Sequence, residues 1–81
     1  MRVDIYSRPG CHLCDEAKET IERVRRRFDF ELRIINVETD PELEAEYGEE
    51  IPVVCINGSK AFKYRVDKDA FEKKVKELWK T

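Results

Sequence analysis

The apolar period of this chain changes within its first third. Val3-Asp4-Ile5-Tyr6 alternates apolar and polar residues, as a strand does. Leu13, Ala17, Ile21, Val24 and Phe28 then recur at spacings of 4, 4, 3 and 4, which mark one face of a helix. The change falls on Ser7-Arg8-Pro9-Gly10, a turn with two backbone breakers. Arg25-Arg26-Arg27 sits in the predicted last turn, where cations suit the negative end of the helix dipole. Glu31 to Val37, with Leu32, Ile34, Ile35 and Val37, supplies the next strand. A strand, helix and strand in this order predict a parallel pair joined by a right-handed crossover.

The remainder is punctuated as clearly. Asp40-Pro41 reads as an N-cap followed by proline at the first helical position. Leu43 and Tyr47 share a face of that short helix, and Gly48 ends it. Ile51 to Ile56 predicts a third strand, and Asn57-Gly58 is a strong two-residue hairpin signal. Lys60 to Tyr64 returns as a fourth strand, antiparallel to the third. Asp67 caps a last helix with Ala70, Phe71, Val75, Leu78 and Trp79 inward. The predicted class is therefore α/β, in the order β-α-β-α-β-β-α. A four-stranded mixed sheet with helices on both faces would bury all three helices.

With 81 residues the chain is expected to form one domain, residues 1–81. At this size a fold buries only roughly 60% of its unfolded surface, so the core must be simple. The net charge of −2 argues against a nucleic-acid or anionic-membrane surface. The basic stretches Arg23 to Arg27 and Lys73 to Lys76 read as solvated helix faces. No apolar run reaches the ~18–20 residues needed to span a bilayer. Strand-like sequence from Arg2 leaves no room for a signal peptide, so the expected location is cytoplasmic. Three cysteines is an odd number, which argues against a secreted disulfide scaffold. In reducing cytosol, paired thiols are more often catalytic or metal-binding.

Cys11-His12-Leu13-Cys14 lies where the strand pattern hands over to the helix. Side chains at i and i+3 share a helix face with Cβ atoms ~5–6 Å apart, so a disulfide can open and close with little backbone motion. Cys11 would sit at the helix start, where unpaired N–H groups and the dipole stabilise a thiolate. Cys14, one turn inside beside the apolar stripe, should be less exposed and less acidic. Cys11 is thus expected to attack a substrate disulfide and Cys14 to resolve the mixed disulfide. His12 reads equally as support for the thiolate or as an exposed polar residue. Ile51-Pro52 reads as a cis X-Pro bond in a functional turn or as a trans proline opening the third strand. Cys55, in Val53-Val54-Cys55-Ile56, reads as a small buried hydrophobe. Phe28, Phe71 and Trp79 fit helical core stripes.

Tyr6-Ser7-Arg8-Pro9-Gly10-Cys11-His12-Leu13-Cys14, followed downstream by Ile51-Pro52-Val53-Val54, resembles the glutaredoxin-like branch of the thioredoxin superfamily. The resemblance implies a thioredoxin-like fold, with Cys11 as nucleophile and Cys14 as resolving thiol. It implies a cis Pro52 facing them and an Ile51 backbone that pairs with a substrate segment. Arg8 falls where glutaredoxins carry a cation for the glutathione carboxylate, and Asp67 where an acid caps the glutathione amino group.

Three departures stand beside the resemblance. The Gly-Gly pair ahead of the acid is replaced within Phe62-Lys63-Tyr64-Arg65-Val66. The middle pair of the motif is His-Leu, not Pro-Tyr. Residues 38 to 50 hold Glu38, Asp40, Glu42, Glu44, Glu46, Glu49 and Glu50 with no Lys or Arg, which would repel an anionic tripeptide. The expected function is a thiol–disulfide oxidoreductase acting on protein or small-molecule disulfides, with no resident cofactor and with glutathione as the co-substrate the family would use. A reductase or glutathione would supply electrons to a monomer that binds neither nucleic acid nor membrane. The alternatives are a metal- or iron–sulfur-cluster-binding relative through Cys11, His12 and Cys14, and an interaction module without redox turnover.

Overall fold

The computed structural model describes residues 1–79. Its elements are β1 (Arg2–Ser7), α1 (His12–Arg25), β2 (Glu31–Asn36), a 3-10 turn (Val37–Thr39), α2 (Pro41–Tyr47), β3 (Val53–Ile56), β4 (Ser59–Lys63) and α3 (Lys68–Trp79). The sheet runs β2-β1-β3-β4. β1 pairs in parallel with β2, while β3 is antiparallel to both β1 and β4. This is the predicted thioredoxin-like α/β arrangement. Among the described residues, no helix is long and apolar enough to cross a membrane.

The core lies on one face of the sheet. Val3 and Ile5 of β1, with Val54 and Ile56 of β3, pack against Ile21 and Val24 of α1 and Phe71 and Val75 of α3. Phe30 joins them, edge-on to Phe71 with ring centres 6.2 Å apart. Side chains alternate along a strand, so Asp4, Tyr6, Val53 and Cys55 point to the other face, Asp4 opposite Cys55 and Tyr6 opposite Val53. Asp4 is buried, and a buried carboxylate persists only when paired. Arg33 donates from Nε at 2.9 Å, and Arg2 Nε lies 3.2 Å away.

The helices depart from expectation in instructive ways. α2 contributes no fully buried side chain: Leu43 and Tyr47, the face expected to pack inward, are only half-buried, so the sheet covers α2 less completely than α1 and α3. It is seven residues long and rich in acids, and it is fastened to the second face by contacts at its edge. The Tyr47 ring stacks on Tyr6 at 4.1 Å, with Lys60 Nζ 5.4 Å from its centre. α1 ends at Arg25, and Phe28 follows in a tightening turn whose N–H still reaches the Val24 carbonyl at 3.1 Å. On α3 only Phe71 and Val75 are buried; Ala70 is exposed, and Trp79 is 44% exposed despite its edge contact with Phe28. Trp79 lies in the helix's last turn, past the edge of the sheet's cluster. At the hairpin, Asn57 and Gly58 adopt φ of 52° and 86°, the paired left-handed values a tight hairpin requires. Asn57 also clasps β1, donating to the Arg2 carbonyl and accepting from the Arg2 N–H at 2.8 and 2.9 Å.

Candidate active site

β1 leads through Ser7 to a turn in which Gly10 takes φ 77°, a conformation open to glycine at little cost. The turn delivers Cys11 in an extended conformation to the N-cap of α1. Its sulfur does what an N-cap oxygen usually does: Sγ accepts the Cys14 N–H at 3.2 Å. The Cys11 carbonyl accepts the Asp15 N–H at 3.2 Å and starts the helix. Cys11 and Cys14 are joined as a disulfide, with Cα atoms 5.2 Å apart. The two sulfurs are unequal in access, because Cys11 is half-buried and Cys14 is buried. His12 is the first residue of α1 and is exposed.

Antiparallel pairing sets Tyr6 opposite Val53, so the chain that enters β3 through Ile51 and Pro52 lies at the sheet end from which β1 reaches Cys11. The Ile51–Pro52 peptide bond is cis and Pro52 is fully buried. Its carbonyl accepts the Tyr64 N–H at 2.9 Å, tying this turn to the segment between β4 and α3. Tyr64 has φ 65°, left-handed backbone for a bulky residue, and is 45% exposed. A groove of about 490 Å³ runs from Leu13 and Glu16 on α1 to Tyr64, Arg65 and Asp67. Asp67 is the N-cap of α3: its Oδ2 accepts the Ala70 N–H at 2.9 Å.

Arg8 turns away from this groove toward α2. Its Nη2 donates to Glu44 Oε1 at 2.6 Å and to the Gly48 carbonyl at 2.9 Å. It also borders a cleft of about 280 Å³ shared with Gly10, Cys14 and Ile34. Gly48 has φ −55°, ordinary right-handed helix, so it is not the left-handed terminator its sequence position suggests. Its glycine serves close approach instead. A Cβ there would stand 2.8 Å from Glu44 Oε1 and 3.1 Å from Arg8 Nη2, and would press on the Glu44 carbonyl. Neither Glu44 nor Gly48 was legible as a partner of Arg8, since they lie 36 and 40 residues away and no local pattern marks one acid among seven.

Cys55 is buried and unpaired, on the face opposite α1. Burial pushes its thiol above the ordinary value, and the Asp4 charge adds to the effect. Tyr47 is pushed up to about 12, first by burial and then by Tyr6. Hydrogen bonds from Lys60 and Lys63 hold Glu50 below the usual carboxylate value. Among the described residues, no group of three or more His, Cys, Asp or Glu converges as metal ligands would.

The glutaredoxin-like domain model (DUF836) matches residues 2–76. A glutaredoxin-like protein of Dictyostelium discoideum, the YDR286C homolog, is 31% identical over 75 residues, covering 85% of this chain and 69% of its own. Among solved structures, protein Ne2328 of Nitrosomonas europaea superposes with a TM-score of 0.77 at 28% identity, covering 90% of this chain and 88% of that one. The glutaredoxin-like protein NrdH-redoxin of Escherichia coli, described as having a thioredoxin-like activity profile, is 36% identical with a TM-score of 0.57, covering 80% of this chain and 86% of its own.

Proposed function

The chain belongs to the glutaredoxin-like domain family and is a thiol–disulfide oxidoreductase, and from that premise we propose that Cys11 is its attacking thiolate and Cys14 its resolving thiol. The observation that carries this assignment is the asymmetry at the head of α1. The accessible sulfur is the one that receives a helix N–H, while the buried sulfur sits one turn inside. Hydrogen bonding and the helix dipole both favour negative charge on Cys11 once the disulfide is reduced.

The reaction then runs as two exchanges. The Cys11 thiolate attacks one sulfur of a substrate disulfide R–S–S–R′, forming Cys11–S–S–R and releasing R′ as a thiolate. The Cys14 thiolate next attacks Cys11 Sγ, releasing the second thiolate and closing the Cys11–Cys14 disulfide. Two electrons pass to the substrate, and an external dithiol or two thiols restore the pair. The turn at Ile51 and Pro52, with the groove between Leu13 and Asp67, is where a disulfide-bearing segment would lie. A thioredoxin-like activity profile in a 36% identical relative supports protein disulfides as substrates and a protein reductase as donor. A reducing cytoplasm is the compartment in which such a dithiol turns over as a reductase, and we take the monomer as its working form.

Trapping tests the assignment of roles. Reduced Cys14→Ser protein should accumulate a mixed disulfide with substrate, seen by mass spectrometry at Cys11. Cys11→Ser protein should accumulate none and lose turnover. A stable adduct on Cys14 in place of Cys11 would reverse the assignment.

A further inference from the structure

Tyr64 holds a backbone conformation that its own side chain makes costly. Its φ of 65° is left-handed, and the Arg65 N–H donates to the Lys63 carbonyl at 2.8 Å, closing a three-residue turn around it. With positive φ at its centre, such a turn is the rare and strained form. The Tyr64 N–H donates to the Pro52 carbonyl at 2.9 Å, so the turn is fixed against the chain that enters β3. Glycine would take the same backbone without strain, yet a large ring stands here and is exposed. Burial therefore does not account for it. Among the described residues no other ring stacks on it, and Lys63 Nζ lies 5.6 Å from its centre while also bonding Glu50 Oε2 at 3.2 Å. The ring lines the groove of about 490 Å³ whose opposite wall is α1. Lys63 and Tyr6 both pair with Val53, so Tyr64 leaves the sheet at the end from which β1 reaches Cys11. Cys11 does not line the groove, but Leu13, two residues after it, does. The groove thus receives what flanks a sulfur held at Cys11, and not the sulfur itself. Its charged lining is close to neutral, with Glu16, Glu19 and Asp67 against Arg23 and Arg65. Glu19 and Arg23 pair with each other at 2.8 Å, and Asp67 accepts the Ala70 N–H. Leu13, Tyr64 and Val66 supply its apolar surface.

We infer that Tyr64 is a specificity-determining residue whose ring receives an apolar side chain next to the reactive cysteine of a polypeptide disulfide. This rests on the dithiol reading above and names the feature of the substrate that the site prefers. An aromatic or aliphatic side chain laid on Tyr64 covers surface that the fold itself leaves in water. The two backbone bonds hold the turn in place beforehand, so the contact needs little further ordering of the backbone. A polar neighbour of the substrate cysteine gains far less from the ring. In the reaction concerned, the Cys11 thiolate attacks one sulfur of a peptide disulfide and releases one peptide thiolate. The Cys14 thiolate then attacks Cys11 Sγ and releases the second. The dithiol is oxidised as the peptide disulfide is reduced.

Single-turnover oxidation of the fully reduced protein tests this. The oxidants are the symmetrical disulfides of two pentapeptides, with phenylalanine or with serine on both sides of a central cysteine. Each rate is divided by that of the same disulfide with dithiothreitol, which removes its intrinsic reactivity. The native protein should favour the phenylalanine peptide about tenfold. Tyr64→Phe should keep that ratio. Tyr64→Gly and Tyr64→Asn, both at ease in left-handed backbone, should bring it near one while holding or raising the urea midpoint. A native ratio near one, or a native ratio that persists in Tyr64→Gly and Tyr64→Asn, overturns the inference while the dithiol reading stands. Lowered midpoints in both variants also overturn it, since the ring would then serve the fold. No reaction of the reduced native protein with either peptide disulfide or with 2-hydroxyethyl disulfide overturns both readings.

Discussion

Cys11 and Cys55 show how the same side chain acquires opposite properties from its surroundings. Cys11 caps a helix, with its sulfur 3.2 Å from a backbone N–H and reachable by solvent. Cys55 lies on a central strand, 3% exposed, opposite the buried Asp4. Taking a thiolate out of water is costly, and a neighbouring carboxylate makes it more so, which is why the Cys55 thiol titrates above its ordinary value. In the fully reduced native protein, iodoacetamide at neutral pH should therefore modify Cys11 fastest and leave Cys55 unmodified until denaturant is added. Rapid labelling of Cys55 in the native state would contradict its placement. Pairing, burial and exposure of these thiols follow partly from sequence: the i, i+3 spacing marked the disulfide, and the apolar run marked Cys55. The Asp4 charge beside Cys55 was invisible, because it depends on the register between β1 and β3.

At the scale of elements, α2 is the part of the fold least explained by apolar burial. Its N-cap is the one the sequence announces, with Asp40 Oδ1 accepting the Glu42 N–H at 2.9 Å. What docks it is a ring stack, Lys60 over Tyr47, and the bond from Arg8 to its last turn. Gly48 is the test of that docking. Its φ of −55° suits alanine, and propensity alone would make Gly48→Ala stabilising by about 1 kcal/mol. The crowding of Glu44 and Arg8 works against this, and overpacking of this kind costs ~1–3 kcal/mol. Gly48→Ala should accordingly lower stability in urea unfolding, with a reduced midpoint and unchanged slope. A variant more stable than the native protein would show that the close approach at Gly48 is not a constraint. The limits of α1 and β2, and the extent of the buried face on α3, differ from expectation for a related reason. Periodicity marks which face is apolar, but coverage by neighbours decides where that face stops being buried, as Ile34 and Trp79 show at 45% and 44% exposure.

Across the whole molecule, charge and burial define a pH window of stability. Glu50, held low by Lys60 and Lys63, favours the folded state above its ordinary value of 4.5, and that contribution is lost as pH falls through its lowered folded value. Cys55 and Tyr47 act in the opposite direction, because both keep their protons longer when folded. Above pH 9.0 for the thiol and 10.0 for the phenol, the unfolded chain binds fewer protons than the folded one, so stability falls as pH rises. For Tyr47 the decline should run from 10.0 to about 12. Urea midpoints measured against pH should show both limbs, with Glu50→Gln flattening the acid limb and Tyr47→Phe the alkaline limb above pH 10. An alkaline limb identical in Tyr47→Phe would remove the phenol from this account.

The sequence by itself determined the order of elements, the hairpin, the caps at Asp40 and Asp67, and the dithiol at the head of α1. Each of these depends on residues within a few positions of one another, where period, turn chemistry and capping act. Only the tertiary structure decided that Arg8 meets Glu44 and Gly48, that Asp4 sits opposite Cys55, and that α2 is fastened with its inward side chains only half-buried. Those pairings join residues tens of positions apart, and they exist because the crossover and the hairpin fold distant charges onto one end and one face of a single sheet.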